Sequence, residues 1–280
     1  MALTKLIADS GATKAEWCLV SGNRKKTVFT QGISPYFFNR QQIQQLLEKE
    51  LCPILKKAGI DEVYYYGTGM RNPKNVSMVK HALREVFTNA AVDVQDDMLA
   101  AARGLAGNEK AIACNLGTGS FCCYYNGKKI VKRSPGIGYI LGDEGSGAYL
   151  GKKLLQYYLY DTFDKELRDK FEDKYKTTPV EVLENVYRKP LANRYLAAFC
   201  MFLSENRGHY MIENIVEDGL NDFFFNHLSR YKETSSLPVS FVGSIAYGFK
   251  DVLEHLCETY SFRLGKIFKN PMEGLIDYHR

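Results

Sequence analysis

The sequence predicts a two-lobed α/β protein, and three observations carry that expectation. Asp9-Ser10-Gly11-Ala12-Thr13-Lys14 and Asn115-Leu116-Gly117-Thr118-Gly119-Ser120 are two small-residue, hydroxyl-bearing turns, each set between strand-like apolar runs. The order strand, turn, strand, turn, strand occurs at the start of each half, an approximate structural duplication without a short-period repeat. Beyond each such block, strands alternate with amphipathic helices.

Taken in order, Leu3–Asp9, Glu16–Val20 and Thr27–Thr30 read as three strands, with Ser21-Gly22-Asn23 turning the second into the third. Ile43, Leu46, Leu47, Leu51, Ile54 and Leu55 fall on one face at helical spacing. Asn39 is the expected N-cap and Pro53 the expected kink. Val63–Tyr66 is a buried strand ending in Gly67-Thr68-Gly69, and Val76, Val79, Leu83 and Val86 mark a second amphipathic helix. Ala91–Val94 is a strand that runs into Asp96-Asp97 and an alanine-rich helix, Met98–Leu105. The pattern restarts with strands at Ala111–Leu116, Phe121–Tyr125 and Lys129–Val131, where Asn126-Gly127 is a strong hairpin signal. From about Gly145 to Leu228 the chain is mostly helical and rich in Tyr and Phe. Strands return at Pro238–Val242 and Ser261–Phe268, separated by Gly243-Ser244 and a helix to about Thr259. A short helix after Pro271 is expected to pack back on the first lobe. The domain break is expected near Asn108–Lys110. Residues 1–109 then form one lobe and 110–270 the other, with a helical insertion over about 146–230.

Composition narrows the class. Hydrophobic residues make up 45% of the 280, enough for substantial cores. The net charge of +5 is spread over short basic clusters, which read as solvated lysines and not as a nucleic-acid stripe. A small positive excess suits an anionic small substrate. Seven scattered cysteines without a CxxC pair, and five histidines without ligand spacing, point to buried free thiols in a reducing compartment. No run approaches roughly twenty apolar residues and the N-terminus carries no leader pattern, so a cytoplasmic protein without membrane association is expected.

The two glycine turns leave little side chain in the way, so backbone N–H groups, with Thr118 and Ser120, can close on an anion. A P-loop is excluded because Ser146 stands where its first Gly belongs and Lys153 where Ser or Thr belongs. The dinucleotide fingerprint fails because Gly142 comes one residue late after Gly136-x-Gly138. What remains is a two-lobed clamp for a polyphosphate.

The pair of turns resembles the phosphate turns of the superfamily that joins acetate and sugar kinases, the heat-shock chaperone ATPase and actin. Within it the chain is similar to the N-acetylglucosamine kinase group of the BadF/BadG/BcrA/BcrD-type ATPase family. Four blocks in the family's order carry the likeness: the two turns, Gly142-Asp143-Glu144-Gly145-Ser146-Gly147, and Phe241-Val242-Gly243-Ser244. The resemblance implies two ribonuclease-H-like lobes of the actin-like ATPase fold with a central cleft, and ATP and Mg²⁺ as cofactors. Gly11, Thr13 and Lys14 would face the β- and γ-phosphates, and Asp9 would hold Mg²⁺ through water. Gly117, Thr118 and Gly119 would face the phosphates from the other lobe, while Gly243 and Ser244 would form the adenosine turn. Asp97, in Asp97-Met98-Leu99-Ala100-Ala101, matches the family's catalytic base, against the plainer reading that Asp97 or Asp96 only caps a helix. Asp143 and Glu144 would reach sugar hydroxyls, since a carboxylate accepts two hydrogen bonds. Gly67, Thr68 and Thr118 would line the same substrate site, with Asp97.

The expected function is transfer of the γ-phosphoryl group of ATP to a hydroxyl, the 6-hydroxyl first, of N-acetylglucosamine. Where the group carries an Asn after its Gly-Pro-Ser-type turn, this chain has Gly32-Ile33-Ser34-Pro35-Tyr36, so N-acetylmuramic acid or another hexosamine is the alternative. An ATPase activator of a 2-hydroxyacyl-CoA dehydratase would need interface cysteines for an iron–sulfur cluster, and no suitable pair follows Gly147. A nucleotide-dependent regulator is the other alternative. The resemblance also allows a homodimer.

Overall fold

Antiparallel pairing comes first in each half because tight turns join the first three strands. β1 (Thr4–Ser10), β2 (Lys14–Ser21) and β3 (Arg24–Gln31) form such a meander, pinned by the buried Trp17 indole N–H donating to the Thr30 hydroxyl over 2.9 Å. The computed structural model describes residues 3–12, 14–55 and 59–280. The chain divides into two compact units, Met1–Glu109 with Pro271–Arg280, and Lys110–Asn270.

In the first unit α1 (Arg40–Leu46) opens on Asn39, whose side chain accepts from Gln42 N–H in a capping box. A π-helical turn, Leu47–Leu51, separates it from α2 (Cys52–Leu55). The irregularity falls just before Pro53, which has no N–H to give the preceding turn and whose ring crowds it. β4 (Glu62–Gly67), α3 (Pro73–Val86), β5 (Ala91–Asp96) and α4 (Asp97–Ala106) follow. The sheet order is β3-β2-β1-β4-β5, with β1, β4 and β5 mutually parallel. One face buries Leu6, Trp17, Leu47, Tyr65 and Leu83.

The second unit repeats the topology with β6 (Lys110–Leu116), β7 (Ser120–Asn126) and β8 (Ile130–Arg133). Between β8 and the next strand lie α5 (Gly138–Leu141), α6 (Gly147–Leu159), α7 (Lys165–Tyr175), α8 (Pro179–Tyr187), α9 (Ala192–Ala198), α10 (Cys200–Glu205) and α11 (Tyr210–Asn226). Two 3₁₀ turns lead into β9 (Val239–Val242), followed by α12 (Ser244–Gly248), α13 (Lys250–Thr259) and β10 (Leu264–Phe268). The last strand begins three residues later than expected because Ser261 takes a left-handed turn, φ +56°, after α13. Sheet order β8-β7-β6-β9-β10 matches that of the first unit strand for strand, each a ribonuclease-H-like sheet of the actin-like ATPase fold. The aromatic-rich helices bury Phe171, Phe199, Phe202, Phe223 and Phe224 in one core with Ile112 and Phe241.

The terminal helix α14 (Met272–Tyr278) belongs to the first unit, where Met272, Leu275 and Ile276 pack with Ile7, Cys18, Tyr66 and Ala100. All seven cysteines are free, and six are buried. Among the described residues, no helix is long and apolar enough to cross a membrane.

Candidate active site

Parallel strands bring their C-terminal ends to one edge, and in the first unit three ends line up by register. Ser10 of β1 faces Gly67 of β4, and Gly67 faces Asp96 of β5. Thr68 N–H donates to the Ser10 carbonyl over 3.1 Å, tying the Gly67-Thr68-Gly69 turn to the first one. Thus Asp9, Gly67, Thr68 and Asp97 come together along one edge, from segments far apart in sequence.

Burial pushes the Asp9 carboxyl up to about 7, and the negative field of Asp97, then that of Glu16, adds to it. Two carboxylates in one partly dry edge repel each other, which a cation between or beside them relieves. Asp96, not Asp97, is the N-cap of α4: its Oδ1 accepts from Leu99 N–H over 2.8 Å. Asp97 is the first residue inside the helix, so capping does not account for a carboxyl there. Gly11 N–H donates to the Lys14 carbonyl over 3.1 Å and closes the first turn on itself. The Lys14 ammonium rests 3.8 Å from the centroid of the Phe29 ring. Thr13 lies outside the described residues.

The second unit gathers its own set. Gly117 N–H donates to the Gly119 carbonyl over 3.0 Å, and the Gly117 and Thr118 carbonyls accept from Gly147 and Ala148 N–H over 2.8 and 3.1 Å. The first donors of α6 therefore hold the turn, while Ser146 Oγ accepts from Tyr149 N–H. Asp143 has φ +58° and leans over Gly119, where a Cβ would lie 3.0 Å from its Oδ2. Burial raises its carboxyl above the usual range, against which the Ser120 N–H hydrogen bond works. Gly243, at φ +124°, packs its backbone onto the end of β6: a Cβ there would lie 2.2 Å from the Leu116 carbonyl and 3.0 Å from Asn115 Oδ1. Only glycine fits that approach. Ser244 then starts α12.

Glu144 goes elsewhere. Its Oε2 is 2.9 Å from Nε2 of the buried His227 at the end of α11. His227 lies 83 residues away and gave no sequence signal. Tyr65 also went unnoticed among apolar strand residues. Its hydroxyl is buried beside Ser10 and lies 2.7 Å from where a Gly67 Cβ would be. The Ser120 hydroxyl is buried and unsatisfied, next to the Asp143 contact. An orphaned donor costs free energy unless a ligand or water meets it, so the second turn fits a polar, oxygen-rich ligand.

No model of a known protein family matches the sequence. A solved structure of a candidate N-acetylglucosamine kinase from Porphyromonas gingivalis is 36% identical and superposes with a TM-score of 0.93 over 98% of each chain. A second candidate of that kind, from Chromobacterium violaceum, is 18% identical with a TM-score of 0.70 over 100% of this chain and 99% of its own, a likeness of fold. Among curated proteins, the N-acetylmuramic acid/N-acetylglucosamine kinase of Clostridium acetobutylicum is 26% identical over 201 residues, 67% of this chain. The match spans 65% of that relative's length. With near-complete coverage at 36% identity, the chain belongs to the N-acetylglucosamine kinase family of the actin-like ATPase fold.

Proposed function

We propose that the protein is an ATP-dependent kinase that transfers the γ-phosphoryl group to an amino-sugar hydroxyl, the 6-hydroxyl of N-acetylglucosamine first. The observation that carries the reading is the pairing of Asp9 with Asp97 at one sheet edge, with a different residue, Asp96, capping the helix. Phosphoryl transfer asks a protein mainly for positioning, charge compensation and a carboxylate to take the acceptor's proton.

The donor set fits Mg²⁺ and ATP. Asp9 offers hard oxygen ligands in a negative field, and the glycine turns offer close backbone approach. Magnesium bound with the triphosphate supplies neutralisation of the transferring group's charge. Asp9 would hold it, through water. Asp97 would accept the proton of the attacking hydroxyl on its carboxylate. In the second unit Gly117, Thr118 and Gly119 would hold phosphate oxygens, and Gly243 with Ser244 would leave room for the adenosine. Asp143, fixed by the Ser120 N–H, would orient sugar hydroxyls with Thr118 in the second unit, and in the first unit Gly67 and Thr68 would serve the substrate. In the first unit Gly11 and Lys14 would serve the β- and γ-phosphates.

N-acetylmuramic acid is the second substrate reading, supported by the name of the curated relative. The test is ADP release with ATP, Mg²⁺ and a panel of hexoses and hexosamines, with and without N-acetyl and lactyl groups. Turnover that rises with one N-acetylated hexosamine is expected. ADP release that no sugar stimulates would overturn the kinase reading in favour of a regulator.

A further inference from the structure

The second unit carries a cavity of about 390 Å³ that no role above uses, bordered by Lys132, Arg133, Ser134, His227, Arg230 and Tyr231. Three fixed cations and an imidazole converge on a space the size of a sugar acid. The floor is built. Ser134 Oγ accepts from Cys122 N–H over 3.0 Å, and the Tyr231 hydroxyl donates to the Cys122 carbonyl over 3.1 Å, so both are anchored to β7. Lys132 is paired with Glu233 at 2.6 Å on the rim. The Arg230 guanidinium is exposed and makes no ion pair or hydrogen bond among the described residues.

Its position gives the cavity meaning. Ser134 and Pro135 open the connection from β8 to α6, which carries Asp143 and Glu144 beyond α5. His227, 7% exposed, lines the cavity and lies 2.9 Å from Glu144 Oε2. An occupant would therefore touch His227, whose partner Glu144 is the chain neighbour of Asp143.

We propose that this cavity is a subsite for a compact oxyanion, a carboxylate or phosphate borne by a sugar-sized molecule, linked to the Asp143–Glu144 loop through His227. Guanidinium groups match both anions with paired, charge-assisted N–H donors. A nucleic-acid backbone would need a stripe of cations in place of one concavity. The oxyanion has two sources. It is either the lactyl carboxylate of an acidic amino-sugar substrate, which rests on the kinase reading, or a phosphate acting as an effector, which does not.

The experiment uses the full chain with its nucleotide site filled by a non-hydrolysable ATP analogue and Mg²⁺. Inorganic phosphate and D-lactate are titrated calorimetrically into wild type, Arg230→Gln and Arg230→Lys. Binding of at least one anion, weakened tenfold or more by Arg230→Gln and partly restored by Arg230→Lys, is expected. Equal thermal unfolding of the variants, expected for an exposed side chain, ties the loss to the cavity. A tenfold fall in the kcat/KM ratio of N-acetylmuramic acid to N-acetylglucosamine in Arg230→Gln identifies the substrate source. An unchanged ratio with the calorimetric loss identifies the effector source. Absence of binding by both anions, or binding that Arg230→Gln leaves intact, overturns the subsite. The calorimetry needs no turnover, so it stands or falls apart from the kinase reading.

Discussion

The Asp143 carboxylate occupies the space that a side chain at Gly119 would take, 3.0 Å from an ideal Cβ. The backbone of Asp143 is in the left-handed region and its carboxyl is held by Ser120 N–H, so it has little freedom to retreat. Gly119→Ala is therefore expected to displace Asp143 by a few tenths of an ångström. The KM for the sugar should rise about tenfold, roughly 1.4 kcal/mol of binding, with kcat changed less. Steady-state kinetics at saturating ATP read this. An unchanged KM would show that Asp143 does not touch the sugar.

Removing the base separates chemistry from binding. Asp97→Asn keeps the side chain's size and leaves the Asp96 cap in place. The variant should bind ATP almost as wild type does and lose about 10²–10⁴ in kcat, the range for a general base. Nucleotide affinity by fluorescence and turnover by ADP release check the two halves. Turnover within a few-fold of wild type would remove Asp97 from the mechanism.

The sheets, the restart of the pattern and the two glycine turns were legible because each is local. Asn39 announced its own helix by side-chain chemistry, and Pro53 announced an irregular turn. Whether Asp96 or Asp97 capped α4 was not legible, since both are adjacent acids and only the fold decides which one reaches Leu99 N–H. The His227–Glu144 pair spans 83 residues and a whole helical insertion, so periodicity could not find it. Lys14 illustrates the converse: its motif position suggested a phosphate, while β2–β3 register places the Phe29 ring within reach of its ammonium.

The terminal helix is held by contact between two glycines. An ideal Cβ on Gly274 of α14 would lie 1.7 Å from the Gly104 carbonyl oxygen of α4, and one on Gly104 2.8 Å from the Pro271 carbonyl oxygen. Backbone cannot yield as a side-chain tip does. Gly274→Ala should separate the helices and destabilise the first unit by about 1–3 kcal/mol, the usual cost of overpacking, or more. For a chain of this size a loss of each kcal/mol lowers the melting temperature by about 2–4 °C. Calorimetric melting checks it, and an unshifted transition would mean that α14 docks by another face.

His279 should make stability pH-dependent. Its Nε2 is 2.9 Å from the Tyr66 hydroxyl, its ring stacks on Tyr64 at 3.7 Å, and burial, with Arg103 and Lys5 nearby, pushes it down to about 4. Unfolded, an imidazole titrates near 6.5. Between those values the unfolded chain binds the extra proton, so stability rises with pH from about 4 to about 6.5 and falls as acid is added. Asp9, pushed up to about 7, acts in the opposite sense, because the unfolded carboxyl gives up its proton first as pH rises. Comparing wild type with His279→Gln cancels the Asp9 contribution. Denaturant midpoints at pH 4.5, 5.5 and 6.5 should climb less steeply in the variant. Parallel curves would show that His279 protonates as readily in the folded protein as in the unfolded chain.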